Sequence, residues 1–194
     1  MTPVRVLGIS GSLRSGSYNR ALLRAAGELA PSNGIELTEL DLSPIPFYDG
    51  DVEAAGDPDA VADMRRAVHE ADAVLLATPE YNRGTSGVLK NALDWLSRPA
   101  LASVLRWKPV GVVGASSGRG GTRRAQQQVR EALLFPGAHV LDDPEVAVPV
   151  AWEHFDTEGV LTNAETQAAL ESLLGGLAEV ARTRADTQAV IVGA

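Results

Sequence analysis

The chain has 194 residues, 17 basic and 25 acidic side chains, a formal net charge of −8 and no cysteine. That length suits one domain, residues 1–194, able to bury its own core, and an acidic surface repels phosphodiester backbones, so nucleic acid is a poor partner. Without cysteine, disulfides, thiol catalysis, Fe–S clusters and cysteine-ligated zinc are excluded, and redox chemistry must come from a bound cofactor.

In chain order, residues 4–10 (VRVLGIS) read as a buried strand that ends in small residues. No apolar leader precedes it, and no apolar run approaches the roughly 20 residues of a membrane helix, so a cytoplasmic location is expected by elimination. Residues 19–30 carry Leu22, Leu23, Ala26 and Leu29 at helical spacing, 35–42 alternate as a strand does, and 43–56 read as a loop with Pro44 and Pro46. Asp57-Pro58 predicts a helix cap followed by proline at the first helical position, ahead of an apolar face of Val61, Met64 and Val68. Residues 73–78 (AVLLAT) are a continuous apolar strand. A helix over 87–97 puts Leu89, Leu93 and Leu96 on one side, and 109–115 (PVGVVGA) form another buried strand. A helix over 122–135 follows, and 138–141 with 145–150 read as one interrupted final strand. Thr162-Asn163-Ala164-Glu165 has the capping-box pattern before a helix striped with Leu170, Leu173, Leu174, Leu177 and Val180.

Five strands alternating with five helices imply a parallel α/β sheet covered on both faces. Ligands in such sheets lie beyond the carboxyl ends of the strands, which directs attention to the loops after strands one, three and four. The first, 10–20, gathers hydroxyls, small residues and Arg14 at a strand exit that feeds a helix N-terminus, the makings of an anion site. It is neither a Walker A sequence nor Gly-x-Gly-x-x-Gly, so Asp41 reads as a solvated strand-end carboxylate rather than a ribose ligand. The second, 78–87, combines a stiffening Pro79 with Tyr81, Asn82 and glycines, which suit the polar edge and face of a flat ring. The third contains Gly114-Ala115-Ser116-Ser117-Gly118, a short Gly-x-Ser-x-Gly match with Asp142, Asp143 and His154 downstream in hydrolase order, but no His-Gly-Gly-Gly segment. His69, His139 and His154 lack metal-ligand spacing, so no metal site is expected.

Gly11-Ser12-Leu13-Arg14-x-Gly16-Ser17-x-Asn19 resembles the phosphate loop of the NADPH-dependent FMN reductase family, which includes chromate and quinone reductases and FMN azoreductases. Pro79-Glu80-Tyr81-Asn82 with Gly87-Val88-Leu89-Lys90-Asn91-Ala92-Leu93-Asp94-Trp95-Leu96 is similar to its second signature, and Gly120-Gly121 with Arg124 and Gln128 is a looser third match. The resemblance implies a flavodoxin-like three-layer sandwich with a five-stranded parallel sheet of order 2-1-3-4-5. It implies FMN as cofactor and NADPH or NADH as co-substrate, with electrons passed on to a quinone, azo compound, metal oxyanion or free flavin. By the same resemblance, Ser10, Ser12, Leu13, Arg14, Ser17, Tyr18 and Asn19 hold the phosphate and ribityl chain. Pro79, Glu80, Tyr81 and Asn82 line the ring, and Ser116 and Gly118 close the other side. The helix with Lys90, Asn91, Asp94 and Trp95 then contributes to a homodimer or dimer of dimers, although Trp95 alone reads equally as core. Hydride passes from nicotinamide to flavin, so no dedicated catalytic residue is required. Against this stand three alternatives: a non-enzymatic flavodoxin-type electron carrier, a flavin-free paralogue, and a serine hydrolase built on Ser116.

Overall fold

Strand β1 (Val4–Ser10) pairs in parallel with β2 (Ile35–Leu40) on one side and β3 (Ala73–Ala77) on the other, and β4 (Pro109–Ala115) extends the sheet beyond β3. The computed structural model describes residues 2–192, with side chains through residue 185. Two short strands share the outer position: β5 (His139–Val140) pairs with the start of β4 and β6 (Val146–Val148) with its end. The order is 2-1-3-4-5 with the last position split. The split falls where Asp142, Asp143 and Pro144 interrupt the apolar run, and proline cannot donate to a strand ladder.

The helices are α1 (Tyr18–Leu29), α2 (Gly50–Ala55), α3 (Asp59–Glu70), α4 (Gly87–Leu96), α5 (Arg123–Leu134) and α6 (Ala164–Val192). On one face, Leu22 and Leu23 of α1 and Leu170, Leu173, Leu174 and Leu177 of α6 bury against Ala73, Leu75 and Ala77 of β3 and their neighbours. On the other, Val61, Met64 and Val68 of α3, Leu89 and Trp95 of α4 and Leu133 of α5 cover Val74 and Leu76. Alternate β3 residues thus feed opposite cores, which is why the strand reads as an unbroken apolar run. Among the described residues no helix is long and apolar enough to cross a membrane.

Three sequence expectations are corrected. Residues 43–56, expected as loop, contain α2, capped by the Asp49 carboxylate on the Asp51 N–H at 2.9 Å. None of its residues is buried, so no apolar period marked it. Helix α3 starts one residue later than expected, with Pro58 itself at the N-cap, and Asp57 is drawn instead to Arg65 at 2.9 Å. The capping box before α6 does not form: Asn163 is the cap, its Oδ1 accepting the Thr166 N–H at 2.9 Å, while the Thr162 hydroxyl donates to the His154 carbonyl. Trp95 is fully buried, and its indole N–H donates to the Pro46 carbonyl at 2.9 Å. Asn91 donates to the same carbonyl at 2.8 Å and accepts the Tyr48 N–H at 2.8 Å, so α4 pins the segment 46–48.

Candidate functional site

Because the strands run parallel, their carboxyl ends open on one edge, where the loops after β1, β3 and β4 meet. Ser12, Arg14, Ser17, Tyr18 and Asn19 from the first loop, Pro79, Glu80 and Tyr81 from the second, and Ser116 from the third line one cleft of about 190 Å³.

The first loop leaves β1 at a close crossing. The Gly11 N–H donates to the Ala77 carbonyl, and Ser86, which caps α4, donates its hydroxyl to the Gly11 carbonyl at 2.6 Å. A Cβ on Gly11 would stand 2.9 Å from Ser86 Oγ and 3.0 Å from Pro79, so only glycine fits. Ser10 lies buried beneath the loop, its Oγ accepting the Ser12 N–H at 3.2 Å. Ser17 caps α1, its Oγ accepting the N–H groups of Asn19 and Arg20. Among the described residues, none of the N–H groups of residues 13–17 has a protein acceptor. Arg14 makes no ion pair or hydrogen bond there either, and Leu13 stands exposed. Asn19 has a different task from the one expected: its amide donates to the Ala115 carbonyl at 3.0 Å and accepts the Ala115 N–H at 2.9 Å. It therefore locks the first turn of α1 to the end of β4 while also lining the cleft. Tyr18 packs on Phe155, with ring centroids 5.5 Å apart.

The second loop folds back as a tight turn in which Tyr81 and Gly84 exchange backbone hydrogen bonds of 2.9 and 3.0 Å. Asn82 and Arg83 at its apex both have positive φ, 51° and 66°. Asn82 is thus at the tip and outside the cleft lining. Glu80 also departs from expectation. Its Oε2 accepts the N–H groups of Arg124 and Ala125 at 3.1 and 3.3 Å, so the carboxylate caps α5 and leaves mainly its stem to the cleft. Gln128 of α5 answers by accepting the Thr85 N–H at 2.8 Å.

In the third loop, Ser116 Oγ accepts the Gly118 N–H at 3.0 Å. His154 is bonded through Nδ1 to Thr166 Oγ1 at 2.9 Å, and Asp142 leans on Arg130 at 3.5 Å. The serine–imidazole contact that a hydrolase triad requires is therefore missing among the described residues. Asp41 holds the Ser43 hydroxyl and N–H at 2.5 and 3.0 Å, which keep its carboxyl below the ordinary carboxylate range. The last residues of the stretch 145–150, expected as strand, are not strand: β6 ends at Val148. Val150 donates to the Gly118 carbonyl and Ala151 to that of Ser116, bracing the third loop from a left-handed Val150 (φ 43°). No sequence signal marks it, since valine disfavours that conformation. The bracing roles of Ser86 and Gln128 were also unread; Ser86 alone had a signal, as a serine just ahead of an apolar helix.

Residues 4–153 match the family model described as NADPH-dependent FMN reductase. A Pseudomonas aeruginosa protein described as an NAD(P)H-dependent FMN reductase is 47% identical over 175 residues, covering 90% of this chain and 93% of the relative. An NAD(P)H:quinone oxidoreductase of Solanum tuberosum is 40% identical, covering 92% and 93%. Among solved structures, the flavoenzyme NAD(P)H:(acceptor) oxidoreductase FerB of Paracoccus denitrificans superposes with a TM-score of 0.83 at 31% identity, covering 93% of this chain and 98% of that one.

Proposed function

The chain belongs to the NADPH-dependent FMN reductase family, and from that membership we propose how its loops carry the activity of an NAD(P)H-dependent flavin oxidoreductase that reduces small-molecule acceptors such as quinones. The observation that carries the reading is the first loop: among the described residues its N–H groups at 13–17 have no protein acceptor and Arg14 is unpaired, and Arg14, Ser17 and the N-terminus of α1 line one cleft. That donor set fits the terminal phosphate of FMN, since amides and a planar guanidinium are what a phosphate dianion needs. Ser12 and Ser17 add hydroxyls, and Ser10 holds the loop from below. Pro79 and Tyr81 offer the flat surface for the ring, while Glu80 and Gln128 fix that surface to α5. Ser116 and Ser117 form the opposite wall, and Gly118, expected there, lies outside the cleft lining, its N–H held by Ser116 Oγ.

When bound, FMN supplies two-electron transfer between the nicotinamide and the acceptor. The protein's part is to bind both partners face to face and hold them in register. No side chain has to move a proton in the first half-reaction. An electron carrier is disfavoured by the relatives, which are described as reductases.

Self-association through α4 belongs to the same proposal. The segment that Asn91 and Trp95 pin presents Phe47 with 85% of its surface exposed, an apolar group rigidly offered to a second copy. Light scattering should give a dimer or tetramer mass that Phe47→Asp reduces. The activity is tested by loading the protein with FMN and adding NADPH or NADH without oxygen. Bleaching of the flavin band, and its return with a quinone, is the expected result; a flavin that neither nucleotide bleaches would remove the assignment.

A further inference from the structure

Most arginines here are used inside the fold. Arg5 pairs with Asp72, Arg65 with Asp57, Arg66 with Asp63, Arg123 with Glu145 and Arg130 with Asp142. Of the loop arginines, Arg98 lies over the Tyr48 ring and Arg106 donates to the Leu101 carbonyl. Among the described residues, the loop arginines left with no ion pair, hydrogen bond or ring contact are Arg14, Arg83 and Arg119, one on each of the three loops around the cleft. In a chain with 25 acidic side chains, these three loop guanidiniums stand at one edge of the sheet with no acidic partner among the described residues.

Arg83 stands out further. Two successive positive φ angles define a turn for which asparagine followed by glycine is the low-strain pair. Asn82 obeys that preference, whereas Arg83 accepts a left-handed backbone at φ 66°. The turn is not loose. Gln128 holds the Thr85 N–H at 2.8 Å, and a Cβ at Gly84 would stand 2.8 Å from Gln128 Oε1. Glu80 anchors the other limb to α5. A strained, unpaired arginine is thus carried on an anchored turn beside the cleft, and outliers of that kind collect where a ligand is gripped.

We propose that Arg83, assisted by Arg119 on the neighbouring loop, grips the phosphate groups of the incoming nicotinamide dinucleotide. The proposal rests on the reductase reading above. Arg14 and the first loop are engaged by the flavin phosphate, so a second polyanion entering over the ring must find its own cations. The dinucleotide brings a pyrophosphate and, in NADPH, a 2′-phosphate, and a guanidinium fork meets either with paired charge-assisted hydrogen bonds.

The test uses Arg83→Asn in the FMN-loaded protein, because asparagine eases the turn: a merely structural Arg83 predicts equal or higher Tm and unchanged kinetics. The expected result is a rise of roughly tenfold to a hundredfold in the KM for a dinucleotide and in the calorimetric Kd of NADP+, the size of losing charge-assisted hydrogen bonds. Affinity for FMN stays constant, Arg83→Lys recovers part of the loss, and Arg119→Gln gives a smaller loss of the same kind. A loss confined to NADPH assigns the 2′-phosphate, and an equal loss with NADH assigns the pyrophosphate. Unchanged KM and Kd for both dinucleotides would overturn the proposal while leaving the reductase reading intact, as would an equal loss with reduced nicotinamide riboside, which has no phosphate. A wild-type protein reduced by neither nucleotide would overturn both.

Discussion

The two ends of the sheet treat their polar groups in opposite ways. At the amino ends of the strands, charge is matched inside the chain. Arg5 and Asp72 meet at 3.0 Å, and the Asp72 carboxylate also takes the Arg5 N–H at 2.8 Å. Lys108, almost wholly buried ahead of β4, donates its ammonium to the Ala71 and His69 carbonyls at the carboxyl end of α3, where a cation opposes the helix dipole. At the carboxyl ends, among the described residues, five successive N–H groups and three loop arginines are left without protein partners, and two of the residues in left-handed backbone cluster at one turn. One end matches its polar groups within the fold, and the other leaves them open, as the proposed flavin site requires. Burial explains the difference: Lys108 sits where water cannot compensate it, so it must be satisfied internally, while the cleft residues are solvated until a ligand arrives.

The comparison can be broken most forcefully beneath the cleft. A Cβ on Gly114 would stand 2.3 Å from both the Thr78 carbonyl and Thr122 Oγ1, and a carbonyl cannot swing aside as a side chain can. Gly114→Ala should cost about 3 kcal/mol or more in urea unfolding, and loss of FMN binding should follow the loss of structure. An unaltered urea midpoint would show that the strand end tolerates more movement than its packing suggests.

The opposite end is probed by pH. Burial, and after it the Arg184 guanidinium, push Lys108 down from 10.5 to about 8, against the pull of Asp72. Between those values the unfolded chain holds a proton that the folded one has released, so stability rises as pH climbs from about 8 towards 10.5. The gap is worth roughly 3 kcal/mol at most. Denaturation midpoints of wild type and Lys108→Met, compared across that window, should converge or cross in favour of wild type at high pH. Parallel curves would refute a depressed lysine.

Arg14→Ala tests the ligand end without touching the fold. FMN affinity should fall by roughly tenfold to a hundredfold, the scale of charge-assisted phosphate contacts, with the Tm of the FMN-free protein unmoved. A drop in that Tm would instead make Arg14 a structural group like those of the other end. The smallest effect belongs to the half-exposed Arg5–Asp72 pair. Arg5→Ala should cost about 0.5 kcal/mol near neutrality, since exposed pairs are weak. Burial raises the Asp72 carboxyl, but the Arg5 side chain and N–H outweigh it and hold the group below its ordinary value, so the contribution is present above that value and disappears in acid. A difference between Arg5→Ala and wild type that persisted at low pH would show another origin.

Some of this was legible without coordinates. β1 and β4 fall where their apolar runs place them, because a strand buried on both faces leaves an unmistakable composition. Loop 10–20 could be read as an anion site because its hydroxyls, arginine and helix start are consecutive in the chain. What the sequence could not announce depends on partners far along it. Asn19 meets Ala115 across 96 residues and Glu80 reaches Arg124 across 44, so two side chains that resemble ligand contacts by motif turn out to lock the loops together. Helix α2 and the exact caps of α3 and α6 were likewise decided by contacts too weak or too local to impose a period. Short-range pattern follows from the covalent order of the residues, and determined the main strands, the longer helices and the loop that reads as an anion site. The choice of which polar group serves the fold and which is left free follows from burial and distance, and only tertiary structure supplies those.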